Sequence, residues 1–454
     1  MLEQLEGSRA VARTVALCRA EVIPAYPISP QTHIVEALSA MVKSGELAPC
    51  EFVNVESEFA AMSVAIGASA TGARTYTATA SQGLLYMAEA LYNASGLGLP
   101  VVMTVANRAI GAPINIWNDH SDSMSQRDSG WLQLYVESNQ EAVDTHILAF
   151  RLAEELSLPV MVCMDGFILT HAFEQVDLPS AAQVDAFLPP YEPRQVLDPD
   201  EPVTIGAMVG PEAFTEVKYL AHLKQMQALD LIPELATELG ETLGREPVGL
   251  LRSYRAQDAR TVVVALGSVL GTIEDAVDEL LERGMSVGAV GIKAFRPFPL
   301  EEVRAALGHA ERVVVLEKAL AVGLGGIVSQ NVRIALEGED GAGGGAPGGS
   351  ADGGAAHRGG ELGGAATETP GSARPGRPRV HTVIAGLGGR PITQSSLVRL
   401  LEEAAERGLP QMSFLDLNRD LVERELERTR ERRRSGPHAE NMLRDVGAIA
   451  AGPV

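Results

Sequence analysis

Cysteine is scarce in this 454-residue chain, which holds three, Cys18, Cys50 and Cys163, none at metal-ligand spacing from another. That excludes a disulfide framework and leaves too few thiolates here for an iron-sulfur cluster, which takes about four. A reducing, cytoplasmic setting fits such usage. Positive charge is also short: 37 Lys and Arg stand against 59 Asp and Glu, a net charge of -22. Phosphate-rich surfaces would repel the chain, so neither nucleic acid nor a membrane is expected as a partner. No apolar run approaches the roughly 20 residues of a membrane span. The first residues, Met1-Leu2-Glu3-Gln4-Leu5-Glu6-Gly7, are acidic and lack the apolar stretch of a secretory leader. A GxxxxGK phosphate loop and HExxH are missing, and the two glycine clusters that stand at strand ends do not match the spaced fingerprint of a dinucleotide fold. The Gly323-Leu324-Gly325-Gly326 and Gly386-Leu387-Gly388-Gly389 clusters read instead as tight strand-helix turns. The nine histidines show no ligand clustering, so no metal is expected in this chain and a metal hydrolase is not indicated.

What is present is an alternation of apolar runs with amphipathic stretches, the signature of an α/β chain with parallel sheets. Strands are expected at 21–26, 75–80, 101–106 and 159–164, with helices up to about 43 and over 83–95 and 141–156. From 168 to 202 proline rises and periodicity weakens, as in a connecting excursion. A polar helical region spans 211–240, and a second α/β module starts at Thr261. The expected organisation is a first domain over 1–210, a helical linker over 211–249, a second domain over 250–416 and a charged tail over 417–454. Residues 338–379, rich in Gly, Ala and Pro, read as a disordered insert interrupting the second domain.

The most informative stretch is Val55-Glu56-Ser57-Glu58-Phe59-Ala60-Ala61, where carboxylates open a helix whose following turns are nearly all small. A helix so poor in bulk lets a backbone or a flat ring come close, and an acid in its first turn can protonate something; alone, such an acid complements the helix dipole. Other polar groups fall in the loops after successive strands. Tyr26-Pro27-Ile28-Ser29-Pro30 offers a hydroxyl, which could equally cap a helix. Thr79-Ala80-Ser81-Gln82-Gly83 follows the next strand. Val105-Ala106-Asn107-Arg108 places a guanidinium where it can fork onto a carboxylate, and Asn118-Asp119-His120-Ser121-Asp122 adds a polar loop. In parallel sheets, loops beyond the carboxyl ends of strands form the ligand crevice.

With these motifs, and with Gly386-Leu387-Gly388-Gly389-Arg390 in the second module, the chain resembles the alpha subunit of the 2-oxoacid:ferredoxin oxidoreductases, pyruvate:ferredoxin oxidoreductase being the type. The resemblance spans nearly all the chain outside the low-complexity insert and the charged tail. It implies a pyrimidine-type thiamine diphosphate-binding domain followed by a transketolase C-terminal-like α/β domain. In that family a glutamate at the position of Glu58 hydrogen-bonds the aminopyrimidine ring and activates the cofactor, a role that needs a carboxylate shielded from water; Glu56 is the alternative candidate. Arg108 and the Ser29 hydroxyl would hold the substrate carboxylate, although many members carry threonine where this chain has Ser29. Gln82, Asp119 and His120 would line the cofactor site.

The implied reaction is oxidative decarboxylation of a 2-oxo acid, pyruvate by default, to an acyl group taken by coenzyme A, with electrons passing to ferredoxin or flavodoxin. The family binds diphosphate and magnesium through Gly-Asp-Gly, a motif this sequence does not contain. A beta subunit is therefore expected to bring that site, its Mg2+ and an iron-sulfur cluster, with gamma and delta subunits as further partners. Two other readings stay open: a transketolase or dehydrogenase-complex component, and a non-catalytic assembly subunit.

Overall fold

A computed structural model describes residues 2–247, 249–337, 377–432 and 435–449. The expected insert falls outside the described residues from 338 to 376. In the first domain β1 (Leu2–Glu6), α1 (Gly7–Leu17), β2 (Val22–Ala25), α2 (Thr32–Ser44), β3 (Glu51–Asn54), α3 (Glu58–Ala70) and β4 (Tyr76–Thr79) follow one another. Then come α4 (Ser81–Tyr86), α5 (Ala88–Gly96), β5 (Val102–Asn107), α6 (Ser121–Ser125), β6 (Leu132–Tyr135), α7 (Asn139–Leu156), β7 (Val160–Asp165), β8 (Phe173–Asp177), α8 (Ala181–Phe187) and α9 (Phe214–Leu243).

The second domain contains β9 (Leu251–Tyr254), β10 (Thr261–Ala265), α10 (Val269–Glu282), β11 (Val287–Ile292), β12 (Ala294–Arg296), α11 (Leu300–Leu307), β13 (Arg312–Glu317), α12 (Val328–Glu337), β14 (Arg379–Ile384), α13 (Gln394–Glu406) and β15 (Met412–Phe414). Helices α14 (Arg419–Glu431) and α15 (His438–Asp445) form the tail.

The first sheet runs β12-β6-β7-β5-β4, and β2 continues it through a parallel bridge from Val22 to Thr75, with β3 beyond. Strands β4, β5, β6 and β7 pair in parallel and are buried along their whole length; β5 and β7 read as mostly apolar runs, whereas Thr77 and Thr79 in β4 and Gln133 in β6 carry polar side chains into the buried sheet. The second sheet, β15-β14-β13-β10-β11-β9, is parallel except for β9 at its edge. Strand β12, which follows β11 in the second sheet, crosses over and pairs antiparallel with β6. One apolar cluster accordingly holds Trp131, Tyr135 and Cys163 of the first domain together with Val262, Val290 and Phe295 of the second.

Strands β3, β6 and β9 lie outside those expected from the sequence, and three further local features depart from that expectation. The stretch read as a connecting excursion contains β8, which pairs antiparallel with β1 at the N-terminus; neither segment has the apolar alternation that marks a strand on its own. The helix expected over 83–95 starts at Ser81 and breaks at Met87, whose φ of -92° and ψ of 8° interrupt the ladder. In the region read as a linker, α9 lays Ala228, Ile232, Leu235, Ala236 and Leu239 into the first domain's core. That apolar stripe has helical spacing and occupies only its C-terminal half; Phe214, Val217 and Tyr219 in the other half are exposed.

Candidate active site at the carboxyl edge of the first sheet

Because β2, β3, β4, β5 and β7 run in one direction, the loops that follow them gather on one edge. Ser57 caps α3, its side chain accepting the Ala60 N–H at 3.2 Å, and Glu58 is the first residue inside the helix. Glu56, the alternative, precedes the cap and is exposed. Glu58 is 8% exposed, yet its carboxylate makes no hydrogen bond or ion pair among the described residues. It lies against Gly83 of α4: a Cβ at that glycine would stand 2.7 Å from Oε1 of Glu58 and 2.6 Å from Oγ1 of Thr79. The Thr79 hydroxyl is itself buried and without a partner. Two unpartnered oxygens beside a missing Cβ form a polar cradle of the kind that a ring nitrogen and its amino group can fill, since buried polar groups otherwise find partners within the fold. The residues thus fit the aminopyrimidine of thiamine diphosphate.

Arg108 leaves the end of β5. Its Nη1 donates to the Ser29 carbonyl at 2.9 Å and its Nε to the Asn115 carbonyl at 3.1 Å, so the fold brings Ser29 and Arg108 together through the Ser29 backbone. The Ser29 hydroxyl has no partner among the described residues and is exposed. Arg108 is 7% exposed and forms no ion pair among the described residues. Burial lowers its pKa, opposed by the nearby Asp122 charge. A sheltered guanidinium with no carboxylate in ion-pair contact is electrostatically suited to an anionic ligand.

Asp122 organises both loops, a task its place in the sequence did not reveal. Its Oδ2 accepts the backbone N–H of Ser81 at 2.9 Å and of Arg108 at 3.0 Å; its Oδ1 accepts the Asn107 amide at 2.8 Å and the Ser123 N–H at 2.7 Å. Burial pushes its carboxyl up to about 6 in spite of those donors. Ser81 adopts a left-handed φ of 48°, held by this bond and by its hydroxyl donating to Ala109 O. Beside it, Gln82 accepts from the Ser81 hydroxyl, and its Nε2 would lie 2.6 Å from a Cβ at Gly111.

The polar atoms of Asp119 and His120 are directed differently. Asp119 accepts the N–H of Gly388 in the second domain at 3.0 Å and the Ser121 N–H at 2.9 Å. His120 donates its N–H to Lys318 O, and its Nε2 lies 2.7 Å from Asp165. Asp165, at the end of β7, also meets Lys318 Nζ at 2.9 Å and the Ser268 N–H at 3.1 Å. Burial opposes ionisation there, yet the Lys318 ammonium and His120 hold its carboxyl well below the usual carboxylate range. The Gly386-Leu387-Gly388-Gly389 turn completes this contact, because a Cβ at Gly389 would fall 2.4 Å from Cβ of Trp117.

Residues 13–236 match the family described as pyruvate flavodoxin/ferredoxin oxidoreductase, thiamine diphosphate-binding, and residues 259–343 match core domain II of pyruvate:ferredoxin oxidoreductase. The chain is similar to pyruvate synthase subunit PorA of Methanosarcina barkeri, 44% identical over 426 residues that cover 92% of this chain and 97% of the relative. It is 50% identical over 323 residues to PorA of Methanocaldococcus jannaschii, covering 70% of this chain and 83% of that one. With ketoisovalerate oxidoreductase subunit VorA of Pyrococcus abyssi it shares 39% identity over 333 residues, 73% of this chain and 84% of the relative. Its fold is similar to that of 2-oxoglutarate:ferredoxin oxidoreductase from Magnetococcus marinus, solved with 2-oxoglutarate, coenzyme A and succinyl-CoA. That likeness has a TM-score of 0.63 at 18% identity and covers 88% of this chain and 65% of the other.

Proposed function

The chain belongs to the 2-oxoacid:ferredoxin oxidoreductases as an alpha subunit of the pyruvate type, and we propose that Glu58, Arg108 and Ser29 form its contribution to a thiamine diphosphate site that acts on pyruvate. The observation that carries this reading is the Glu58 carboxylate, buried, unpartnered and pressed against Gly83 beside the unpartnered Thr79 hydroxyl. Bound thiamine diphosphate supplies the carbon nucleophile and electron sink for decarboxylation. Glu58 would hold the aminopyrimidine and exchange a proton with it at a carboxylate oxygen, in a position where helix α3 and Gly83 exclude water. Arg108 would bind the substrate carboxylate with the guanidinium edge left over from its two backbone contacts, and the Ser29 hydroxyl would add a second donor. Gln82, steadied by Ser81, would line the site. The contacts of Asp119 and His120 favour docking of the second domain over contact with the cofactor.

The subunit naming of the relatives supports a multi-subunit enzyme. In our reading a beta subunit brings the diphosphate site, Mg2+ and an iron-sulfur cluster, since this chain has neither Gly-Asp-Gly nor enough cysteines. Gamma and delta subunits, coenzyme A as acyl acceptor and ferredoxin or flavodoxin as electron acceptor complete the assembly. Phe59 and Tyr86, exposed with ring centroids 6.4 Å apart, stand at the rim next to Glu58 and Gly83 and suit burial against the beta subunit. The VorA likeness leaves branched-chain oxo acids as the next substrates to try.

The test is co-expression with the neighbouring thiamine-binding subunit, followed by oxo-acid-dependent reduction of a viologen dye with coenzyme A. Glu58→Gln should lower the rate by at least two orders of magnitude while the complex still assembles. Wild-type rates from that variant would remove the activation role from Glu58.

A further inference from the structure

A second polar cluster lies outside the site just described. Glu6 ends β1, His33 lies in the first turn of α2, and His171 lies in the loop between β7 and β8; one ligand atom from each falls within 4.8 Å of the others. Sequence spacing gives no sign of this group, because antiparallel pairing assembles it: Glu6 is in register with Phe173, two residues from His171. Backbone bonds from Gly7 N–H to Ala172 O at 3.0 Å and from Ser8 N–H to Thr170 O at 2.9 Å fix the two segments. Gly7 permits that approach, since a Cβ there would meet Leu169 O at 2.1 Å.

We propose that Glu6, His33 and His171 bind one divalent transition-metal cation of the zinc class, with water completing the shell. Two imidazoles and one carboxylate are the donor set that zinc takes with an open position. The two rings stand 4.7 Å apart between centroids and 34° from parallel. Imidazoles sharing a tetrahedral ion at ordinary Zn–N lengths have centroids roughly 5 Å apart. Nδ1 of His33 lies 2.5 Å from Oε1 of Glu6. Ligand atoms on a tetrahedral ion lie roughly 3.3 Å apart, so that pair must open by less than about 1 Å. The Thr170 hydroxyl, 2.7 Å from Nδ1 of His171, sets the orientation of that ring, as outer-shell partners of metal-bound histidines do. Phe167 packs on the same ring at 4.8 Å. Arg9 competes only weakly for Glu6, at 3.7 Å from Oε2. The His33 side chain is 42% exposed, which provides an entry path. An ion here would clamp the N-terminal strand to the base of α2, one turn beyond the Ser29-Pro30 loop.

The experiment is equilibrium dialysis of the metal-stripped, full-length chain against Zn2+, read by elemental analysis, with thermal melts run in parallel. The expected result is one saturable zinc per wild-type chain, displacing Co2+, with a Tm that rises as zinc is added. His33→Ala and His171→Ala should each weaken binding at least 100-fold and abolish the Tm response, and Thr170→Val should weaken it about 10-fold. Should an alanine variant fail to fold, His33→Gln and His171→Gln carry the same expectation. Equal zinc binding by wild type and a His33→Ala/His171→Ala double variant overturns the proposal, as does absence of saturable binding to the wild type; the cluster would then be a hydrogen-bonded pair beside a packed imidazole.

Discussion

Gly83→Ala separates the site's geometry from the stability of the fold. Gly83 lies in α4 and is not among the residues with positive φ, so alanine should suit the helix better, by about 0.5–1 kcal/mol. Its added methyl meets Thr79 Oγ1 at 2.6 Å, Glu58 Oε1 at 2.7 Å and Glu58 Cγ at 2.9 Å. Ordinary contact at a Cβ begins at 3.4 Å, so the carboxylate must withdraw by several tenths of an ångström or rotate. Hydrogen bonds to charged groups contribute about 1.5–3 kcal/mol, and a displacement approaching 1 Å can cost about 100-fold in rate. We therefore expect kcat/KM for pyruvate to fall about 10- to 100-fold, with weaker thiamine diphosphate binding. The unfolding free energy should change by no more than about 1 kcal/mol. Steady-state dye reduction by the co-expressed complex, together with cofactor titration by fluorescence quenching, measures both. If activity stays within threefold of wild type, the close approach of Glu58 to Gly83 has no part in activating the cofactor.

Other consequences follow from the neighbouring loops. Arg108→Ala should raise KM for the oxo acid by an amount equivalent to about 2–3 kcal/mol, or roughly 30- to 150-fold, and an unchanged KM removes Arg108 from substrate binding. Burial lifts the Asp122 carboxyl from 3.8 to about 6, so on acidification the folded state takes up this proton before the unfolded chain does. Its contribution to stability is therefore greatest below about pH 4 and declines by about 3 kcal/mol as pH rises through 6. Denaturant midpoints of wild type and Asp122→Asn, compared from pH 4 to pH 7, should reveal that loss in the wild type alone; parallel profiles would show that Asp122 titrates normally.

The parallel architecture and the loops that carry Arg108 and Ser29 were legible because their strands are apolar runs and the polar residues follow their carboxyl ends; β3, which precedes Glu58, is short and half-exposed and was not expected. That a slim helix opens on the acids at Glu56 and Glu58 could likewise be read from local chemistry, although the cap at Ser57, which leaves Glu56 outside the helix, was not expected. What escaped depends on contacts distant in sequence. Asp122 looks like one more acid in a polar loop until its oxygens are seen to collect N–H groups from Ser81 and Arg108. Asp119 and His120 lie in that same loop, and only the arrival of Lys318 and Gly388 shows where their bonds go. The gathering of Glu6, His33 and His171 needed the β1–β8 register, which no periodicity announces. The glycines were ambiguous for the same reason: Gly83 and Gly389 read as helix and turn residues, and the side chains they make room for belong to other segments.

Strand β12 gives the two domains a common fate. The ribosome releases Leu132–Tyr135 long before Ala294–Arg296 exists to cover it, so the nascent first domain carries an open, mostly apolar sheet edge until the other half of the chain emerges. Such an edge templates pairing with other chains. A fragment ending near residue 250 would keep Glu58, Arg108 and Ser29 but leave that edge bare, and insolubility of such a fragment would report the missing strand rather than any fault in the site.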